Sequence, residues 1–293
     1  GHGGHLQPMQ FVDAQKCQVY DSSLPPVAML RTDSKIIFFG QGPALLRHNT
    51  KYAGNNQYQQ IELASENTYA SEGCYYLTDS RDDVLIPRQA DGLIMTGKPQ
   101  YTHAWSVQYH NNDLVSPILS GREFFGEDLR AGALSFPFSI PGTQPGDEAG
   151  IFMRAAHMPT GSPGALNITF SSGADAYTGS LAMRALNTGD YYSLNGTEYF
   201  PTFMPGAEGT LDIEYTGVSS WAYLDYYMIT AHTRLSLPVG QPSMMAFVSD
   251  YNRDTYGRID FAEAPDDMVI WDVTTPNKVS LLPWDDTGAG AYA

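Results

Sequence analysis

Apolar residues in this chain recur at every second position and hardly ever at helical spacing, and that alternation narrows the possible folds more than any other feature. Leu166, Ile168 and Phe170 alternate with Asn167 and Thr169; Leu211, Ile213 and Tyr215 with Asp212 and Glu214; Ile151, Met153 and Ala155 with Phe152 and Arg154. A period of two puts successive side chains on opposite faces, so each segment predicts a strand with one buried face. Helical spacing never persists beyond two turns, because one of the 28 Gly or 19 Pro interrupts nearly every window of fifteen. Further strands are expected at 15–20, 35–39, 75–78, 103–109, 136–140, 180–184, 223–231, 244–248 and 268–273. Turn-forming clusters at 141–147, 161–164 and 195–196 separate them. A dozen or more short strands without β-α-β alternation predict an all-β sandwich.

With 293 residues the chain suffices for one large domain or two ordinary ones. The polar run Thr78 to Asp83, followed by Pro87, marks a boundary, and Pro238 to Pro242 marks a second. They divide the chain into a small N-terminal β module (1–88), a sandwich (89–242) and a set of returning strands (243–293). The formal net charge of -16 repels phosphate backbones and anionic lipid headgroups, so nucleic acid is not an expected partner. The longest apolar runs, at 36–39 and 244–248, fall far short of the ~20 residues a membrane helix needs, so this segment is not expected to insert into a membrane. Five Lys against eleven Arg, with abundant Tyr, Asn, Ser and Thr, suit an exported bacterial protein. The opening Gly1-His2-Gly3-Gly4-His5 lacks a basic start and an apolar stretch, and reads as a mature or engineered start.

Few residues have the spacing that chemistry requires. Cys17 and Cys74 both fall in or beside expected strands rather than on nucleophile turns; they read as buried small hydrophobes, or as a disulfide if the protein is exported. None of the seven histidines shows zinc-site spacing, so His48, His103, His110, His157 and His232 are expected to be surface or hydrogen-bonded residues. Asp250, Asn252 and Asp254 alternate like the oxygens of a calcium loop, but Gly257 comes too late and no glutamate follows at the twelfth position, so a turn is the better expectation. Gly40-Gln41-Gly42-Pro43 resembles a phosphate loop but is not followed by a helix, and reads as a hairpin exit. The adjacent acids Asp82-Asp83, Asp266-Asp267 and Asp285-Asp286 diverge and are expected as solvated loop charges. Trp105, Trp221, Trp271, Trp284 and the tyrosine pairs at 191 and 226 could line a sugar site, although most such rings are expected in the core. No catalytic residue is placed, and no cofactor or metal is expected.

Five ordered stretches carry a family resemblance: Lys35 to Pro43, Asn67 to Thr78, Ser120-Gly121-Arg122-Glu123-Phe124-Phe125-Gly126-Glu127, Leu224 to Ile229, and Val269 to Pro276. Together they resemble the non-catalytic region ahead of the peptidase domain in gingipain-like C25 cysteine peptidases, within that family the PorU-type signal peptidases, or sortases, of the type IX secretion system. The resemblance implies that the sandwich is jelly-roll-like and that a returning strand ends in the Trp271-Asp272-Val273-Thr274 pattern. It also implies a junction after which a caspase-like peptidase domain begins, so the natural polypeptide is expected to continue. The implied partners are that peptidase domain and other type IX components; the implied location is the periplasm, outer membrane or surface of a Gram-negative bacterium. Within the third stretch, Phe124 and Phe125 are expected to anchor a loop, Gly121 and Gly126 to permit positive φ, and Arg122 to pair with Glu123 or Glu127. Arg122 and Glu127 are the candidate binding residues. The competing expectation is a cell-surface adhesin or carbohydrate-binding β-sandwich; an enzyme complete within these residues ranks last.

Overall fold

The computed structural model describes residues 10–13, 26–31, 36–40, 44–53, 56–66, 75–78, 88–89, 100–119, 123–194, 198–237, 243–247, 258–274, 279–286 and 291–292. Nine strands build a two-layer sandwich: β1 (His103–Asn111), β2 (Leu134–Ser139), β3 (Glu148–Pro159), β4 (Ala165–Ser172), β5 (Asp175–Ala182), β6 (Ser193–Leu194), β7 (Glu198–Phe203), β8 (Glu208–Tyr215) and β9 (Ser219–Arg234). One sheet has the order β1-β9-β3, with β6 and β7 both pairing with β3; the other has the order β2-β8-β4-β5. All these pairs are antiparallel. Counting β6 and β7 as one interrupted strand, this is the jelly-roll order, in which chain neighbours alternate between sheets except for the β4–β5 hairpin, and most long strands find partners far away in sequence. The fold is all-β, as the alternation predicts.

The core lies between the sheets. Ile151, Met153 and Ala155 of β3 and Tyr227, Ile229 and Ala231 of β9 face Leu166, Ile168 and Phe170 of β4 and Leu211 and Ile213 of β8. The four-stranded sheet keeps the expected alternation, with Asn167, Thr169, Asp212 and Glu214 outward. The five-stranded sheet does not. Phe152, Tyr226 and Met228 on its outer face are also buried, with Val107 and Tyr109 beside them on β1 and Leu46, from outside the sheet, packed against them. β3 therefore has two buried faces rather than the one its alternation suggested, because Phe152 is covered by the N-terminal part of the chain. Leu46 lies in a long hairpin of Ala44–Ala53 and Asn56–Glu66 that the hydrophobic pattern did not reveal.

Ahead of the sandwich, Gln10–Asp13 pairs with Pro26–Val27 and Tyr75–Thr78, and Met29–Arg31 pairs with Ile36–Phe38. Late segments return. Arg258–Ile259 pairs in parallel with Gln100–Tyr101, and Ser280–Leu282 bridges Ile270–Asp272 to Arg88–Gln89. Of the expected strand at 244–248, residue 248 lies outside the described residues, and among the rest only Phe247 pairs, in a two-bond bridge to Trp105. The segment's apolar residues are instead used in packing, since Met244 and Ala246 lie against a second core of Ala104, Leu235, Phe261 and Met268. No helix among the described residues is long and apolar enough to cross a membrane.

Candidate functional site

In the jelly-roll order the β1–β2, β3–β4, β5–β6 and β8–β9 connections gather at one end of the sandwich. The β1–β2 connection, residues 112–133, dominates that end. It runs along the edge of β9 where β1 has stopped: the Gly126 amide donates to the Leu224 carbonyl at 2.6 Å and the Leu224 amide to the Glu127 carbonyl at 3.0 Å, and Asp128 bridges Tyr223. Gly126 is needed for proximity, because a Cβ would fall 2.8 Å from the Asn112 carbonyl oxygen. Its φ is not positive, contrary to expectation; among the described residues of this connection the positive-φ glycine is Gly132, and Gly121 lies outside them. The connection pinches closed where Val115 and Phe125 exchange backbone hydrogen bonds of 2.9 and 2.8 Å. Phe125 is buried, against Tyr192 and Trp221. A single 3-10 turn, Leu129–Ala131, ends it, capped by Asp128, which accepts the Arg130 amide at 2.9 Å. The Arg130 side chain donates back to Asp128 and to the Ser220 carbonyl.

Two polar clusters fasten this strap. At its root, the Glu127 carboxylate accepts from Asn112 Nδ2 at 2.7 Å and meets His110 Nε2 at 2.9 Å. The His110 ring stacks on Tyr227, whose hydroxyl is pushed up to about 12 by burial and by the Glu127 charge. Farther along, Glu123 accepts from Arg154 at 3.2 Å and from the Tyr192 hydroxyl, and Arg154 also pairs with Asp225. Asp225 sits at a register shift between β3 and β9, where an extra residue lets Leu224 and Tyr227 both face inward and leaves the Asp225 carboxylate aimed at Arg154. Burial opposes the charge on Arg154, but Asp225 and Glu123 outweigh it and hold the guanidinium firmly protonated. Burial, then the Glu123 hydrogen bond, raises Tyr192 to about 12. These groups tie the strap to β3, β9 and the β5–β6 connection.

Beside Tyr192 the β5–β6 connection forms an open cleft of about 370 Å³, lined by Arg184, Asn187, Asp190 and Tyr191 among others. His157 of β3 anchors its far wall: fully buried, it bonds the Arg184 carbonyl through Nε2 at 2.7 Å and the Tyr215 hydroxyl through Nδ1 at 2.8 Å.

The candidates from sequence fare unevenly. Glu127 is bonded to Asn112 and His110 and Glu123 to Arg154; Arg122, the other candidate binding residue, lies outside the described residues. So do Cys17, Cys74, Asp250, Asn252 and Asp254. Among the described residues no group of three or more His, Cys, Asp or Glu converges as metal ligands. Trp221 and Tyr192 contribute to the strap's packing, Tyr226 is buried and Tyr191 is exposed. His157, expected to be a surface or hydrogen-bonded residue, is hydrogen-bonded and buried; Arg154 and Asp225 carry no role in the sequence reading. The shift in apolar phase between Ala222-Leu224 and Tyr227-Ile229-Ala231 is the signal that could have located Asp225.

No protein-family model matches this sequence, and no curated protein matches it. Eight chains of solved structures do. One is dimeric latent PorU from Porphyromonas gingivalis, at TM-score 0.70 and 19% identity, over 97% of this chain and 27% of that one. That likeness shows a PorU-like fold. The chain spans just over a quarter of the length of that relative. A structure of infectious bursal disease virus Gt strain matches 80% of this chain and 61% of its own at 13% identity, with a TM-score of only 0.21.

Proposed function

We propose that this chain is a non-catalytic accessory region of an exported, C25-like cysteine peptidase of the PorU type, and that it supports and positions the peptidase domain. The observation that carries this reading is the superposition of nearly the whole chain on one part of PorU. Four described residues of the Ser120 to Glu127 stretch support it, because they hold the strap: Phe125 is buried, Gly126 lies against backbone, and Glu123 and Glu127 are bonded to protein groups. On this reading the domain limits are 1–88, 89–242 and 243–293. The partners are the peptidase domain and other type IX secretion components, and the location is the periplasm, outer membrane or surface of a Gram-negative bacterium. The purified chain is expected to leave peptide reporters uncut. Cleavage that disappears in a Cys17→Ala/Cys74→Ala variant would overturn the reading.

The cleft beside Tyr192 favours a second reading, carbohydrate binding. Tyr191 at its rim is 79% exposed, a ring face that a sugar could stack on, with Asn187 and Asp190 near enough to hydrogen-bond hydroxyls. Saturable binding on a glycan array, lost in Tyr191→Ala, would move this reading ahead; the accessory role predicts none.

A further inference from the structure

Nine large hydrophobic residues are exposed among those described, and six of them lie at the four-loop end: Leu114, Ile118 and Leu119 in the β1–β2 connection, Met158 at the end of β3, Tyr191 in the β5–β6 connection and Val218 in the β8–β9 turn. Leu119 is 90% exposed and Leu114 69%. Leu119 is also the one non-glycine residue with positive φ among those described, at +52°, a conformation that costs a leucine about 1 kcal/mol. An aliphatic side chain held in water on a strained backbone is more readily explained by a partner than by the fold. The loop is also preorganised. The Val115–Phe125 pinch, the Glu123–Arg154 pair and the Glu127–Asn112 bond fix its base, so little conformational freedom would be lost when Leu114, Ile118 and Leu119 are covered.

Apart from the exposed Phe203, Met245 and Val269, the other described surfaces are largely occupied or polar. The opposite end is closed by the chain itself, with the Arg234 amide donating to the Gly142 carbonyl and Leu235, Phe261 and Met268 packed beyond it. The outer face of the five-stranded sheet carries Leu46, and that of the four-stranded sheet is lined with Asn, Thr, Asp and Glu. A net charge of -16 disfavours an anionic membrane as the cover. In PorU the larger share of the chain lies outside the matched part, so a region of this kind has a bulky covalent neighbour to meet.

We propose that the four-loop end, led by Leu114, Ile118 and Leu119, is the face on which the peptidase domain of the same polypeptide docks; this rests on the functional reading above. The test compares hydrogen exchange in the isolated 1–293 chain and in the natural full-length polypeptide. Amides at 113–119, 158–160, 189–191 and 217–219 are expected to exchange at least tenfold more slowly in the full-length protein. A Leu114→Ser/Leu119→Gly variant should abolish that difference while leaving exchange in 226–232 unchanged. Glycine relieves the positive φ, so Leu119→Gly alone should leave the isolated chain as stable or more so, which separates lost docking from lost folding. Equal exchange in the two proteins would overturn the docking. So would slowing in the isolated chain that grows with its concentration, which would assign the face to a second copy instead. A natural polypeptide that holds no peptidase domain would remove the functional reading and the docking with it, whereas equal exchange in one that holds it removes the docking alone.

Discussion

His157 is fully buried between the sheets, and its partners fix its state. The Arg184 carbonyl can only accept, so Nε2 carries the proton and Nδ1 accepts from Tyr215. Burial lowers its pKa below the ordinary 6.5 despite the carbonyl's opposite pull. The unfolded chain therefore takes up a proton that the folded one resists, and folding stability is lost as pH falls below about 6.5. Melting temperature should drop between pH 7 and pH 5, less steeply in His157→Gln. Some slope should survive, because burial also lowers His232, which faces His103 as well as Glu148 and Asp147. His157→Ala leaves Tyr215 and the Arg184 carbonyl unpartnered beside a cavity, and should cost about 2–4 kcal/mol in denaturant unfolding. Gly126→Ala should cost about 1–3 kcal/mol, since the new methyl meets fixed backbone; an unchanged midpoint would show that the strap has slack. At this scale the sequence was least informative. Nothing near His157 distinguishes it from a surface histidine, because its partners lie 27 and 58 residues away along the chain.

The strap and the Asp225 bulge act as one element. Arg154→Met leaves Asp225, only 5% exposed, without its cation. That should cost about 3 kcal/mol, toward the low end for a broken buried pair because Arg154 keeps some contact with solvent. Arg154→Met/Asp225→Leu should recover most of the loss, and a double variant as unstable as the single would mean that Glu123 and Tyr192 dominate the cluster. Strands with clean alternation, such as β4 and β8, were legible because one face meets the core and the other meets water. The hairpin at 44–66 was not: its strands carry Arg47-His48-Asn49-Thr50-Lys51 and Gln57, Gln59 and Gln60, too few apolar residues for an alternation to show, and the register shift that leaves Ala64 extra is invisible in sequence. The apolar run at 244–248 misled in the opposite sense, since its side chains fill a core without a strand partner beyond Phe247.

On the scale of the whole molecule, the late segments complete structure begun earlier. Phe247 bridges β1, Arg258–Ile259 pairs with Gln100–Tyr101, and Phe261 and Met268 pack on Ala104 and Leu235. Deleting 243–293 should therefore lower the melting temperature of what remains and broaden its transition; an unchanged cooperative melt would show that these segments are appended rather than integral. Fold class was legible throughout, because alternation and turn spacing survive every local exception, and the five motifs led to the same fold that superposition on PorU shows. The role of that fold within a peptidase is tested most directly by sequencing the natural transcript across codon 293. The accessory reading predicts an uninterrupted frame that runs into a cysteine-peptidase domain. A stop codon there, or a frame entering an unrelated domain, would contradict the accessory role.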